Sequence, residues 1–578
     1  MRRVIWEEIP ADAAHVAAVA EALTIPPVIA RLLCQRGFDT PERARLFLAP
    51  DLSQLHDPFE LTGMRVAVDR ILGAIARHER ITIHGDYDVD GITSTVMLER
   101  AIALQGGDVH HFVPDRMRDG YGLQPASVER LHAEGARLII SVDCGIRAVE
   151  AAARARELGV DLIITDHHEP DALAALPQAL AVINPKRADC TYPDKNLAGV
   201  GVALKLVHGI LLASGRGVDA LPPFVKMAAI GTLADMVPLV GENRVIARAG
   251  LASLSAGPHT AGLEALLDES GLIGRALDSF HVSFMLAPRI NAAGRMQSPD
   301  LAVDLLLMRG RDAETKGRAR ALARQLGEEN TRRQTQEAEI VAEARRVVDK
   351  DPDVGAHNLL VVAGDKWHRG VIGIVASKLV ETYRKPAIVL SIEDGVAHGS
   401  CRSIPGFDML EALERCADVF LKFGGHRQAA GVTLEAARLP ELRQRVTAWA
   451  NERLTPDDLI PRLRIDARLG LREISGEVIE GLTRMGPFGS ANPKPVFRAA
   501  PVELLAPPRR VKDRHLALLL RQDGRAFRAI AWRAIDRADY LTANRAGLEL
   551  AYSLDQSEYR GETTTELTVA DVRMPAEA

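Results

Sequence analysis

Cysteine is scarce in this chain. The 578 residues hold five, Cys34, Cys144, Cys190, Cys401 and Cys416, and no Cys-x-x-Cys pair. An odd count without that spacing argues against a disulfide framework and against a zinc finger. A long apolar run is missing as well: nowhere do about 20 uncharged apolar residues follow one another, as a membrane-spanning helix requires. The first residues, MRRVIWEEIP, start basic but lack the apolar stretch and small-residue cleavage site of a signal peptide. A reducing cytoplasm is the expected compartment. Strong charge of either sign is absent too, since the net value is −5. Any affinity for a polyanion must then arise from local basic patches rather than from overall charge. There is no internal repeat and no low-complexity tract.

What is present is enough apolar material for several cores. Hydrophobic residues make up 47%, and at roughly 100–200 residues per domain the length implies about three or four domains. Residues 1–75 are Ala- and Pro-rich with helical patterning, and read as an N-terminal cap without chemistry. From residue 76 short apolar runs alternate with amphipathic stretches: ITI at 81–83, LIISV at 138–142, LIIT at 162–165 and LAVI at 180–183. That rhythm is the βαβ signature of a parallel sheet covered by helices, and it predicts an α/β domain over 76–310. Residues 311–350 are charged and nearly free of Gly and Pro, which predicts a long connecting helix. Its arginines among many Glu can be a solvated face or a contact to nucleic acid. A second α/β segment spans 351–455, with strands at NLLVVAG (358–364) and AIVLSI (387–392) and a helix near 371–383. Over 456–578 the pattern changes to short strands with turns between them, a small all-β barrel of OB-fold type.

The chemistry gathers at the ends of the first strands. ITI runs into His84-Gly85-Asp86-Tyr87-Asp88-Val89-Asp90-Gly91, LIISV into Asp143-Cys144-Gly145, and LIIT into Asp166-His167-His168. Ligands of open α/β sheets bind at the carboxyl ends of the strands, so three consecutive strands deliver carboxylates and imidazoles to one edge. Asp235, in GTLADMVPL on or just after an apolar helix, is a fourth source. Oxygen and imidazole donors of this kind suit Mn²⁺ or Mg²⁺. Converging carboxylates repel one another unless cations neutralise them, and two divalent ions about 3.5–4 Å apart can hold a phosphate and activate a water. A bridging carboxylate would hold such a pair, and Asp143 is the natural candidate. A lone Asp after a strand is usually a helix N-cap; a set this size at three strand ends is not explained by capping.

HGDYDVDG, SVDCG, TDHH and GTLADMVPL resemble, in order, the four motifs of the DHH phosphoesterase superfamily. The resemblance implies one metal held by His84, Asp88 and Asp143, and another held by Asp90, Asp143, His167 and Asp235. It gives His168, Asp86 and Asp143 the catalytic roles: His168 near the substrate phosphate or the nucleophile, Asp86 as an orienter or a ligand through water. Asp166 holds the turn or takes part in the site. Downstream, APRINAAGRMQSP at 287–299, GDKWHRGVIGIVASKL, GSCRSIPGFDML and GGHRQAAG resemble the RecJ-type exonucleases of that superfamily. The match runs from about residue 80 to 500.

The RecJ-type resemblance implies that Arg289, Ser400 and Arg402 hold a 5′-terminal phosphate, as a guanidinium forks onto phosphate oxygens. Arg118 would guide the strand, or is a surface arginine. Gly424 and Gly425 suit close backbone approach to phosphate, or mark a tight turn, with His426 a phosphate or base contact. In the barrel, residues 509–533 hold Arg509, Arg510, Lys512, Arg514, Arg521, Arg525, Arg528 and Arg533 against Asp513 and Asp523, a stripe suited to tracking single-stranded nucleic acid. Phe527 and Trp532 can stack on bases or fill the barrel.

The fold expected is therefore α/β, a parallel-sheet DHH domain and a second α/β DHH-associated domain joined by a long helix, plus a C-terminal all-β OB-like barrel. The function the resemblance implies is 5′→3′ hydrolysis of single-stranded DNA to nucleoside 5′-monophosphates, with two Mn²⁺ or Mg²⁺ ions, in recombination and repair. Expected partners are single-stranded DNA, a single-strand-binding protein and a RecQ-type helicase, with a monomeric chain. Two alternatives stand beside it. One is a DHH pyrophosphatase, or a phosphodiesterase for short RNA or cyclic dinucleotides, whose relatives look shorter or carry membrane or sensor segments. The other is a non-catalytic replication scaffold, whose relatives have lost ligands that are all filled here.

Overall fold

The computed structural model describes residues 4–115, 119–120, 122–171, 175–559 and 562–575. They form two compact units, one drawn from 5–260, 271–287 and 462–578, the other from 261–270 and 288–461.

In the larger unit an all-parallel sheet has the spatial order Val109–Phe112, Ile81–His84, Leu138–Val142, Asp161–Thr165, Ala181–Ile183. Numbered along the chain, that order is 2-1-3-4-5. Winding reverses between Ile81–His84 and Leu138–Val142, and at such a reversal the loops leaving the two strands part and open a crevice. ITIH and LIISV are buried at every position, as strands covered on both faces must be. Val109–Phe112 has no apolar run to announce it: VHHF is an edge strand, half-buried throughout. The helix Val89–Leu104 begins at Asp88, whose carboxylate accepts from the amides of Asp90 (2.9 Å) and Gly91 (3.1 Å). It is buried almost all round, against the helices Gly199–Ala213 and Pro222–Ala234.

The C-terminal barrel closes. Phe497–Leu504 pairs with Leu548–Tyr559, that with Glu562–Arg573, then Arg525–Ala531, then His515–Gln522, which returns to Phe497–Leu504. Closure removes the exposed strand edges. The N-terminal cap shares this core: Ile29, Leu32, Leu33 and Phe47 pack with Val478, Met485, Phe497 and Tyr552. Ile5–Glu8, within a stretch read as helical, is a strand parallel to Arg462–Ile465. It exists because a partner some 450 residues away in the chain supplies its hydrogen bonds, which no local pattern records.

The smaller unit is built on a mixed sheet in the order Lys422–His426, Ala429–Glu435, Val396–Arg402, Ala387–Glu393, Leu360–Asp365. Alternate residues face two cores. Leu360, Val362 and Val389 meet Ala344 and Val348 of the 38-residue helix Ala313–Lys350, while Val361, Ile388 and Leu390 meet Leu442 and Val446. Asp312 starts the long helix by accepting from the Thr315 amide at 2.8 Å. All five cysteines are free, and no described helix is long and apolar enough to cross a membrane.

Candidate metal centre and nucleic-acid contacts

The reversal in the sheet puts His84, at the end of one strand, beside Asp143, just past the end of its neighbour. Asp143 has a φ of 60°, a left-handed conformation that costs a residue with a Cβ roughly 1–2 kcal/mol. The next strand ends in Asp166, His167 and His168. Asp235 terminates the helix Pro222–Ala234. These sources converge: Nε2 of His167 lies 3.2 Å from Oδ1 of Asp143, 3.6 Å from Oδ2 of Asp235 and 3.8 Å from Oδ2 of Asp90.

Three overlapping groups bring ligand atoms within 4.8 Å of one another: Asp86, Asp88 and Asp143; Asp90, His167 and Asp235; Asp143, His167 and His168. Asp143 belongs to two of them. Asp86, expected to orient ligands or to act through water, stands within direct ligand reach. The 85–91 loop folds back tightly enough for this because Gly91 has no side chain; a Cβ there would lie 2.5 Å from the carbonyl oxygen of Asp86. His84 has its Nε2 buried without a hydrogen-bond partner, while Nδ1 lies 3.7 Å from Sγ of Cys144.

Two contributors escaped the sequence reading. The first amides of the helix Gly199–Ala213 grip Asp90: Gly199 donates to Oδ2 at 2.8 Å and Val200 to Oδ1 at 2.7 Å. A helix N-terminus favours an anion. Gly199 also leaves room for Asp143, because a Cβ would stand 2.4 Å from its Oδ1. The signal was in the sequence, as the glycines of AGVG open an otherwise apolar helix. Lys186 is the second, a cation whose charge acts on Asp235 and His167.

Electrostatics fit a cation. Burial, then Asp88, pushes Asp86 up to about 8. Burial and Asp88 likewise push Asp235 up to about 7. Asp90 and Asp143 are held well above the carboxylate range by burial and by neighbouring carboxylates. Burial lowers His84 to about 4 and His167 to about 3, leaving them neutral and able to ligate. Asp143 Oδ1 is buried without a hydrogen-bond donor. Oxygen-rich sets of this kind, with two neutral imidazoles, suit Mn²⁺ or Mg²⁺. Asp166 behaves differently. It accepts from the amides of Ile146 (2.8 Å), His167 (2.7 Å) and His168 (3.0 Å) and from Nδ1 of His168 at 2.7 Å. Burial would raise it, but these bonds lower it, and through the same bond it raises His168 against the effect of burial. Asp166 thus holds the turn and aims His168.

On the smaller unit, Arg402 Nη1 donates to Ser400 Oγ at 3.3 Å. A Cβ on Gly373, at the start of the helix Ile372–Tyr383, would lie 3.0 Å from Ser400 Oγ and 3.4 Å from Arg402 Nη2. A guanidinium, a hydroxyl and a helix N-terminus therefore share one spot. Arg289, on the helix Ala287–Met296, donates to the Glu269 carbonyl at 3.5 Å. Gly424 and Gly425 lie within a strand rather than a turn, and Gly425 has a packing reason to be glycine, since a Cβ would lie 2.4 Å from the Ala429 oxygen across the hairpin. Gly424 meets open space, and His426 is exposed. Arg118 lies outside the described residues. In the barrel every basic residue between 509 and 533 is exposed; Arg521 is paired with Glu503. Phe527 belongs to the core, whereas Trp532 is 58% exposed with its ring edge-on to His515.

Comparison with known proteins matches three stretches of the chain. The DHH family N-terminal domain matches residues 80–232, the DHHA1 domain 356–452 and the RecJ OB domain 465–571. The chain is 44% identical over 494 residues to the single-stranded-DNA-specific exonuclease RecJ of Bacillus subtilis, covering 85% of this chain but 61% of that relative. It is 35% identical over 573 residues to the RecJ of Salmonella typhimurium, covering 95% and 96%. The crystal structure of RecJ from Thermus thermophilus in complex with Mn²⁺ superposes with a TM-score of 0.83 at 32% identity, over 99% of this chain and 80% of that one. The Mg²⁺ complex of the same protein gives 0.77 at 30% identity.

Proposed function

This chain belongs to the RecJ family of single-stranded-DNA-specific exonucleases, and from that premise we propose that it hydrolyses single-stranded DNA from the 5′ end to nucleoside 5′-monophosphates using two divalent cations, Mn²⁺ or Mg²⁺. The observation that carries the reading is the convergence of Asp90, Asp143 and Asp235 within 4 Å of one imidazole nitrogen, Nε2 of His167, with Asp86 and Asp88 adjoining through Asp143.

His84, Asp88 and Asp143 would hold one ion, with Asp86 grouped beside Asp88 and Asp143; Asp90, Asp143, His167 and Asp235 would hold the other. When bound, the pair supplies Lewis-acid polarisation of the scissile phosphate and lowers the pKa of the attacking water. Asp143 would contribute to both sets, since it stands in two of the three groups. Asp166 accepts from Nδ1 of His168 and raises its pKa against the effect of burial, and the half-exposed ring faces a phosphate oxygen as a donor. Ser400, Arg402 and the Ile372–Tyr383 N-terminus, with Arg289 on the same unit, receive the 5′-terminal phosphate, which only a chain end can present. Gly424, Gly425 and His426 line the strand's backbone, and Arg118 guides it. The exposed basic residues of the barrel grip the polymer, with Trp532 as a stacking surface.

Family membership also supports a role in DNA recombination and repair beside a single-strand-binding protein and a RecQ-type helicase. Five free cysteines suit a reducing cytoplasm.

Polarity tests the proposal. A linear oligonucleotide labelled on its 5′ phosphate should release labelled mononucleotide from the first time point, while circular single strands and blunt duplex persist. Nicking of the circle, or early products that keep the 5′ label on a shortened strand, would contradict it.

A further inference from the structure

We propose that Asn243 is a positioning residue for the second cation site, acting on Asp90 and Asp235 through the backbone segments that carry or grip them. The inference rests on the reading of that site as a cation site. Asn243 is fully buried. A buried Asn satisfied by backbone is usually no more than a packing residue, so what it ties together decides the matter.

Its Nδ2 donates to the Asn196 carbonyl at 2.5 Å and to the Pro238 carbonyl at 3.1 Å, and its Oδ1 accepts from the Ala198 amide at 3.4 Å. From Ala198 the chain passes directly into Gly199 and Val200, whose amides hold both oxygens of Asp90. Pro238 follows Asp235 by way of Met236, which turns the chain at a φ of 60°. A single side chain therefore joins the segment that grips one ligand to the segment that carries another. Those two carboxylates form one ligand group with His167.

Asn243 is itself held. It sits in the first turn of the helix Gly241–Ala256. There the Glu242 amide donates to Asp194 Oδ2 at 2.8 Å, and the Glu242 carboxylate is fixed by Lys205 at 2.8 Å and Tyr192 at 2.5 Å. The segment on the other side is tied as well, since Leu239 donates to the Ser490 carbonyl at 2.9 Å. Removing the amide frees the 196–198 and 235–238 segments to move separately. The carboxylates remain but lose their mutual spacing, so cation affinity falls while the groups that face the substrate are untouched.

The test compares wild type with Asn243→Ala and the milder Asn243→Ser. Mn²⁺ binding is read directly by electron paramagnetic resonance titration, and exonuclease rate is read against Mn²⁺ concentration. Loss of an outer partner of a metal ligand typically weakens binding about 10–100-fold. The expected result is therefore a Mn²⁺ dissociation constant and half-saturating concentration raised at least about tenfold, with the rate at saturating Mn²⁺ near wild type. Melting in EDTA identifies which variant is folded, and the serine variant carries the test if the alanine variant is not. Wild-type Mn²⁺ affinity in a folded variant overturns the inference alone, as does a lower maximal rate with unchanged Mn²⁺ dependence. A wild type that binds no Mn²⁺ overturns the cation site and the inference with it.

Discussion

Asp86 and Asp235 sit where a carboxylate is hard to ionise, raised to about 8 and about 7 by burial and by Asp88. An acid whose folded pKa is raised stabilises the fold below its unfolded value, near 4, and loses that contribution as pH climbs through the folded value. His84 and His167 are bases with lowered folded values, and their opposing effect ends near pH 6.5, where unfolded imidazole becomes neutral. Between pH 6.5 and 8 the carboxylates therefore set the slope. Metal-free protein should lose melting temperature across that window. Mn²⁺ should restore more at pH 8 than at 6.5, since the ligands must shed their protons to bind. Differential scanning fluorimetry in EDTA and in Mn²⁺ checks this; a metal-free melting point that is flat or rises across the window contradicts it. At this scale the sequence was informative where candidate ligands follow apolar strands, as with Asp143 and His167, which the fold brings to 3.2 Å of each other. It was silent on Asn243, whose bonds are all to backbone carbonyls and amides, because no residue type announces a backbone partner.

The first turn of the helix Gly241–Ala256 buries three consecutive polar side chains, Glu242, Asn243 and Arg244. Arg244 donates to the carbonyls of Phe47 (2.8 Å), Met485 (2.9 Å), Arg484 (3.0 Å) and Gly486 (3.0 Å). Burial lowers its pKa to about 9, which leaves it charged at neutral pH. The arginine closes the end of the helix Gly476–Met485 and ties it to the N-terminal helix Pro41–Leu48, with its guanidinium 3.6 Å from the Phe47 ring centre. Arg244→Leu takes the guanidinium from the Phe47 and Arg484 carbonyls, at about 1–3 kcal/mol for each one that water cannot reach, while Met485 keeps Asn492 Nδ2 and Gly486 keeps Arg248 Nη1 as donors. A loss of roughly 3 kcal/mol or more is expected from urea unfolding; a loss under about 1 kcal/mol, the level of an average surface bond, would show that the carbonyls find other donors. Elements with a strong local period were legible: the long helix, the parallel strands and the barrel strands. Val109–Phe112 and Ile5–Glu8 were not, since an edge strand of half-buried histidines and a strand paired far along the chain lack an apolar run. GGHRQAAG, equally compatible with a tight turn, is a hairpin whose glycine serves cross-strand packing.

For the molecule as a whole, a net charge of −5 coexists with a run of exposed basic residues, Arg509, Arg510, Lys512, Arg514, Arg528 and Arg533, on a closed barrel. Local charge of this kind favours a polymer over a dinucleotide, because a set of cations needs a run of phosphates to neutralise it. The barrel also accounts for the N-terminal cap: both ends of the chain contribute to one core, a relation that only the folded structure displays. The central claim is that single-stranded DNA is degraded at the carboxylate and imidazole cluster around Asp143. It is tested most directly by a gel time course on a 3′-labelled single strand in Mn²⁺, with wild type, wild type plus EDTA, and Asp143→Ala. The wild type should give a ladder of progressively shorter labelled strands, with no shortening in EDTA or with a folded Asp143→Ala protein. Intact DNA with the wild type, or a ladder that survives in the variant, would contradict it.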